Sequence, residues 1–224
     1  MKQLTYRVVP AVLTDKTEHL ERMLRRSEHF TDWVQIDIMD GLFVPSRSIS
    51  VPDIASAKTG ISWEAHLMVQ KPMEYFDSLT AAGAKRVLVH YEAVKDEAQS
   101  IAGHIATMGM TAGLVLNPET PLSVLSDGLL AQLDSVLFMA VHPGYYGAKF
   151  IPEVLDKIDS FRRLYPEMNV GIDGGVKPDN IAKIALCGAN EICVGSAVFA
   201  QEDPASAFHK LTELAGFACR PEHT

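Results

Sequence analysis

Asp37, His66 and Asp173 are the residues of this 224-residue chain whose types and settings point to chemistry. Asp37 lies in WVQIDIM (33–39), His66 in SWEAHLMV (62–69), and Asp173 closes NVGID (169–173). Each run is short, apolar and strand-like. A bare carboxylate in such a run is costly to desolvate unless something compensates it. A divalent cation would do so, and two Asp with one His form a mixed oxygen–nitrogen set suited to Zn, Mn, Fe or Co. Two carboxylates on opposite sides of a bound molecule can also invert a carbon next to a carbonyl. One removes the α-proton and the other returns a proton to the opposite face. The cation stabilises the enediolate oxygens. Taken singly, each residue has a plainer reading: a hydrogen-bonded core histidine, or an aspartate capping the next helix.

The elements that must hold these residues alternate along the chain. β-rich runs occur at 7–13, 33–39, 62–69, 85–91, 111–117, 135–142, 169–173 and 191–195. Helix-period segments separate them, such as TEHLERMLRRSEHF, AQSIAGHIATMG, PLSVLSDGLLAQL, IPEVLDKIDSFRRLYP and DPASAFHKLTELAG. The segment VPDIASAKTG after the second run is a weaker helix pattern. Many segments open on Pro, Asp or Thr and close on Gly, as helix termini do. Eight strands and eight helices make an α/β chain, read as one (β/α)8 barrel domain over residues 1–224. An open doubly wound sheet is the alternative, but no GxGxxG follows the first strand.

Side chains alternate along a strand, so Gln35, Asp37 and Met39 share one face, while Val34, Ile36 and Ile38 share the other. The second face suits packing against helices, which turns the first into the barrel. The same parity groups Glu64, His66 and Met68, and it pairs Met139 with Val141. The fourth run offers His90, with Glu92 just beyond it. Barrel active sites sit at the C-terminal strand ends, which is where these residues fall. Met39, Met68 and Met139 would line such a site with soft, proton-inert walls, or simply fill core. Gly174 and Gly175 follow Asp173 directly, and the eighth strand runs into Gly195 and Ser196. The loops after strands seven and eight commonly bind phosphate through backbone N–H groups, and Gly144 and Gly147 after strand six would close the grip.

The formal net charge is −8 with no basic run, which argues against nucleic acid or an anionic membrane surface as partner. A single phosphate on a small molecule remains compatible. Cys187, Cys193 and Cys219 contain no CxxC pair and read as reduced thiols of a cytoplasmic protein. MKQLTYRVVPAVL lacks the apolar stretch of a signal peptide. No run approaches the roughly 18 apolar residues of a membrane span.

Successive blocks of the chain resemble the ribulose-phosphate 3-epimerases: DIMDGLFVPS, EAHLMV, VLVHYEA, LVLNPETP, MAVHPGYYGAKF, GIDGGV and VGSAVF. They occur in the family's order and cover nearly the whole chain. The resemblance implies interconversion of D-ribulose 5-phosphate and D-xylulose 5-phosphate, epimers at carbon 3. It implies a divalent metal held by two His and two Asp, the two Asp doubling as acid and base. Asp37, His66 and Asp173 match three of those ligands. His66 and the three methionines match residues around the substrate, and Gly174, Gly175, Gly195 and Ser196 match phosphate-binding positions. Association into a homo-oligomer is also implied by the resemblance alone.

Three positions depart from the family's pattern. Gln35 stands where the family has its first metal-binding His; its amide oxygen is a weaker donor to zinc-like ions than imidazole. Pro10-Ala11 replaces Pro-Ser. Pro143-Gly144-Tyr145-Tyr146-Gly147-Ala148 replaces PGFGGQ, putting a tyrosine ring where backbone would approach phosphate. His142 precedes this loop, and its parity points it away from the barrel axis. These changes leave two further readings open: a different phosphosugar isomerase or epimerase with a weakened or absent metal site, and a non-catalytic phospholigand-binding barrel. A decarboxylase of the related barrels is disfavoured, because QIDIMDG lacks the Asp-x-Lys-x-x-Asp pattern.

Overall fold

In a computed structural model, which describes residues 6–144 and 148–218, eight parallel strands close into a barrel in sequence order. The strands are β1 (Arg7–Val12), β2 (Trp33–Met39), β3 (Ser62–Met68), β4 (Arg86–His90), β5 (Thr111–Leu116), β6 (Ser135–Met139), β7 (Asn169–Asp173) and β8 (Glu191–Val194). Each lies within the run expected of it. The main shortening is β6, which ends at Met139, three residues before His142.

Alternation along the strands builds two apolar layers. Val34, Ile36 and Ile38 of β2 join Ala65, Leu67, Val87, Val89, Phe138 and Ile172 in the layer between barrel and helices. Val9, Leu88, Val115, Leu137 and Met139 fill the interior. The helices present matching stripes. Thr17–Ser27 buries Leu20 and Leu24, one turn apart, with Glu18 in its first turn and Arg25 and Arg26 in its last, complementing the helix dipole. Val154–Leu164 buries Leu155, Ile158 and Phe161, and Phe161 meets Phe138 edge-on at 5.5 Å. Full burial of each such side chain contributes about 1.5–3 kcal/mol.

Two helical segments differ from the sequence reading. The pattern over 121–133 is not one helix. It forms a 3-10 turn at Leu122–Val124 and a short helix at Asp127–Leu130. Ser126 between them is extended, and its hydroxyl accepts from the Leu129 N–H, so it starts a new helix rather than continuing the old one. MEYFDSLTAAG (73–83), whose spacing reads as one helix-period segment, is likewise cut short: Pro72–Tyr75 is a 3-10 turn, and the α-helix begins at Phe76. Among the described residues no helix is long and apolar enough to cross a membrane.

The N-terminal end of the barrel is closed by one buried cation. Arg86 of β4 lies beside Glu64 of β3 in register. Its Nε donates to Glu64 at 2.5 Å, and its two terminal nitrogens donate to Asp134 and Glu191 at 2.7 and 2.8 Å. The guanidinium also lies 5.6 Å from the Trp33 ring centroid. Burial pushes the Glu64 carboxyl up to about 7, even though Arg86 beside it favours the charged form. Removing Arg86 would leave three carboxylates facing one another, one of them fully buried. Arg86→Met is therefore expected to lower the unfolding free energy by about 3–5 kcal/mol, measured by denaturant titration. An unchanged midpoint would refute this role.

Candidate active site

At the opposite end of the barrel, strand register assembles the polar residues. Asp37 lies opposite His66, Met39 opposite Met68, and Met139 opposite Asp173. Asp37 and Asp173 come from β2 and β7, which β1 and β8 separate, so they approach the axis from different sides. His66 Nδ1 bridges them, 3.0 Å from Asp37 Oδ1 and 3.3 Å from Asp173 Oδ2. Gln35 sits directly between them. Its Nε2 donates to Asp37 Oδ1 at 2.9 Å and to Asp173 Oδ2 at 2.7 Å. Its Oε1 accepts from the Cys193 thiol at 3.1 Å.

The cluster continues away from the cavity. His66 Nε2 is 2.9 Å from His90 Nε2, and His90 Nδ1 is 3.3 Å from Glu92 Oε2. Glu92 also accepts from the Asn117 N–H and the Thr120 hydroxyl. Two facing ring nitrogens can share only one proton, so one imidazole donates and the other accepts. The surroundings select which. Burial opposes charge on His66, but hydrogen bonds and charge from Asp173 and Asp37 outweigh it and push His66 up to about 10. Burial, with the charge of His66, holds His90 down to about 4. His66 thus donates from both nitrogens, and neutral His90 accepts from it and donates to Glu92.

The two carboxyls are driven apart. Burial raises Asp37, assisted by the nearby Asp173 charge. Burial also works against ionising Asp173, but the hydrogen bond and charge of His66, the Gln35 amide and the Gly174 N–H together hold it below its ordinary value. Burial and the surrounding carboxylates keep the Cys193 thiol protonated.

Above this cluster opens a cavity of about 430 Å³. Asp37, His66, Asp173 and Cys193 line it, with Met39, Met68 and Met139 as walls and Ala11 on the β1 side. Gly144, Gly174, Gly175, Gly195, Ser196 and Lys177 line it as well. Gly174 has φ +105°, and a Cβ there would lie 2.5 Å from Val141 Cγ2. Only glycine allows the chain to turn from Asp173 this close to the β6 loop.

Of the residues read as catalytic, metal-binding or substrate-binding, all but Gly147 line this cavity or, as Gln35 does, contact Asp37 and Asp173 beneath it. Glu64, grouped with His66 by parity, lies at the other end with Arg86. Gly147, with Tyr145 and Tyr146, lies outside the described residues. His142 is exposed and pairs with Glu119 at 3.2 Å, away from the cavity, as its parity indicated. Two residues were missed. Cys193 lies in register with Val9 and shares its inward parity with Gly195, a signal that was readable. Lys177 follows the Gly174-Gly175 turn, where a lysine in a loop carries no distinguishing pattern.

The donor atoms of Asp37, His66 and Asp173 lie within 4.8 Å of one another, so these three side chains could hold a metal ion. Gln35 turns N–H groups, not oxygen, toward that space. A sequence model described as "Ribulose-phosphate 3 epimerase family" matches residues 7–199. The chain belongs to that family. It is 35% identical over 206 residues to the cytoplasmic isoform of ribulose-phosphate 3-epimerase from Oryza sativa subsp. japonica, covering 88% of this chain and 89% of that one. It is 37% identical over 200 residues to the ribulose-phosphate 3-epimerase of Synechocystis sp., covering 86% of each. Among solved structures, KGPDC from Streptococcus mutans superposes with a TM-score of 0.77 at 10% identity, covering 97% of this chain and all of that one. At that identity the likeness establishes the fold alone.

Gly174→Ala tests how tightly the turn after Asp173 is built. The strained φ and the contact with Val141 are expected to cost more than about 1 kcal/mol in chemical unfolding. An alanine variant as stable as the parent would show that this loop can relax.

Proposed function

We propose that this barrel inverts carbon 3 of a ketose phosphate, with D-ribulose 5-phosphate and D-xylulose 5-phosphate as the pair. The observation that carries this reading is the placement of two carboxyls, pushed toward opposite protonation states, on different sides of one cavity. Asp173, the ionised member, accepts the proton from carbon 3, and the C–H electrons move into the enediolate. Asp37, the protonated member, delivers its proton to the other face of the same carbon. In the reverse direction the roles exchange. Such an acid and base pair follows from environments that separate two pKa values. Met39, Met68 and Met139 wall the enediolate with groups that exchange no protons. A divalent cation held by Asp37, His66 and Asp173 would supply positive charge to the enediolate oxygens. Its identity among Zn, Mn, Fe and Co is left open by the mixed donor set.

Backbone around Gly174, Gly175, Gly195 and Ser196 would hold the phosphate, with Lys177 as the cation on that wall. The net charge of −8 supports a small anion gripped locally over a polyanion. The cytoplasmic assignment rests on the thiols and on the rice relative's description.

The test is NMR of D-ribulose 5-phosphate in D₂O with purified protein, with and without a chelator. Loss of the carbon-3 proton signal with growth of xylulose 5-phosphate is expected. Loss of that exchange on chelation, restored by added ion, would establish metal dependence. No exchange in either condition with metal supplied would sink the pentulose reading. Asp37→Asn and Asp173→Asn should each reduce kcat by roughly 10²–10⁴-fold. Lys177→Met should instead raise KM about tenfold with little change in kcat, the signature of one lost charge-assisted contact to phosphate.

A further inference from the structure

Cys193 is the member of the buried cluster that proton transfer does not use. Gln35 is completely buried and Cys193 nearly so. The two side chains come from β2 and β8, and the thiol donates to Gln35 Oε1 at 3.1 Å. The two ends of a primary amide have almost the same shape but opposite hydrogen-bonding character. Which end faces the two carboxyls therefore depends on the partners at both ends.

On one side of Gln35 stand two carboxyl oxygens, 2.9 and 2.7 Å from its nitrogen. Farther off, at 3.3 Å, is His66 Nδ1, whose proton is directed to the nearer Asp37 Oδ1 at 3.0 Å. An ionised carboxylate oxygen accepts, and so does the carbonyl oxygen of a protonated carboxyl, so the NH₂ end satisfies both Asp173 and Asp37. On the other side stands a thiol, whose S–H can donate and whose sulfur accepts only weakly. The observed orientation uses both matches. Turning the amide over would aim its oxygen at the carboxylates and its two N–H groups at a poor acceptor. A cation between the carboxylates changes the balance, because the amide oxygen would then have something to coordinate.

We propose that Cys193 is a positioning residue that locks the Gln35 amide with its N–H groups on Asp37 and Asp173, and so withholds the Gln35 oxygen from a cation held by Asp37, His66 and Asp173. The proposal rests on the reading of those two Asp residues as the acid–base pair with a cation between them. The two N–H groups hold the carboxylates together from one side. The thiol, acting through the amide, sets how tightly the three remaining ligands hold the ion. Without the thiol's proton the amide is free to turn and become a fourth ligand.

The test compares the full-length wild type with Cys193→Val, Cys193→Ala and Cys193→Ser. Two readouts apply, neither of them turnover. The first is the side-chain ¹⁵N–¹H signal of Gln35 in metal-stripped protein, assigned by its absence from Gln35→Met. The second is the Kd for Mn²⁺ by calorimetric titration. Wild type should show two slowly exchanging, strongly hydrogen-bonded amide protons. The two donorless variants should lose that protection and bind Mn²⁺ roughly tenfold more tightly, a change of the size, but the opposite sign, that loss of a group supporting a metal ligand produces. Cys193→Ser keeps a donor and should restore the wild-type pattern in both readouts. The second donorless variant keeps the comparison available if one fails to fold. Unchanged or weaker Mn²⁺ binding in the donorless variants would overturn the proposal. So would a serine variant that behaves like valine, because the thiol would then act by packing. Neither readout needs substrate. A wild type that binds Mn²⁺ and shows the predicted pattern yet epimerises nothing would defeat the functional reading and leave the positioning role standing.

Discussion

Two carboxyls sharing one buried space are the constraint on which the mouth of this barrel depends. Like charges a few ångströms apart in a medium poorer than water repel strongly, and burial penalises each of them separately. The chain meets this with donors that reach both groups at once. His66 Nδ1 and Gln35 Nε2 each lie within hydrogen-bonding distance or close ion-pair distance of Asp37 and of Asp173. The histidine adds positive charge; the amide adds two directed N–H groups without charge. A cation between the three ligands would do the same work, and His66 would then have to give up its Nδ1 proton to become a ligand. The imidazolium and the ion are thus alternative ways of neutralising one pair of acids.

The charged state of His66 depends in turn on residues further from the cavity. Its second proton needs an acceptor, and His90 provides one because burial and the His66 charge keep it neutral. His90 needs an acceptor for its own proton, and Glu92 supplies it while held by Asn117 and Thr120. Each link fixes the tautomer of the next, so the orientation of the two buried carboxyls is anchored as far out as the loop after β5. The opposite end of the barrel has the same logic with the signs reversed: there one buried cation, Arg86, gathers three carboxylates. The lower cluster ties β3, β4 and β8 together, and the upper one leaves its polar atoms open to a cavity. Stability and chemistry are therefore assigned to different ends of the same strands, as barrel architecture favours.

How much of this was legible in the sequence follows from the range of each signal. Strand parity is a local property with a period of two, so the inward face of β2 and the meeting of Asp37, His66 and Asp173 could be read from spacing. Eight alternating units made the barrel readable for the same reason. The split of the 121–133 helix was harder to see, since Ser126 had to be recognised as a cap inside an apolar period. The Arg86 cluster joins residues 64, 86, 134 and 191, and no local pattern links them. The Gln35–Cys193 contact spans 158 positions, and neither residue type alone announces a role. What escaped the sequence was mainly the pairing of side chains across the barrel.

That pairing bears on why an amide can stand where the family places an imidazole. An imidazole there could ligate an ion, but it could also take a proton from either aspartate, which would compete with the separation of acid from base. An amide cannot titrate in this range. It donates to both carboxyls whichever of them is ionised, so a proton shifted from one to the other leaves both hydrogen bonds in place. Its cost is the loss of a strong ligand, and that cost is larger while Cys193 holds the oxygen. A site built this way favours a stable arrangement of the two acids over tight possession of an ion.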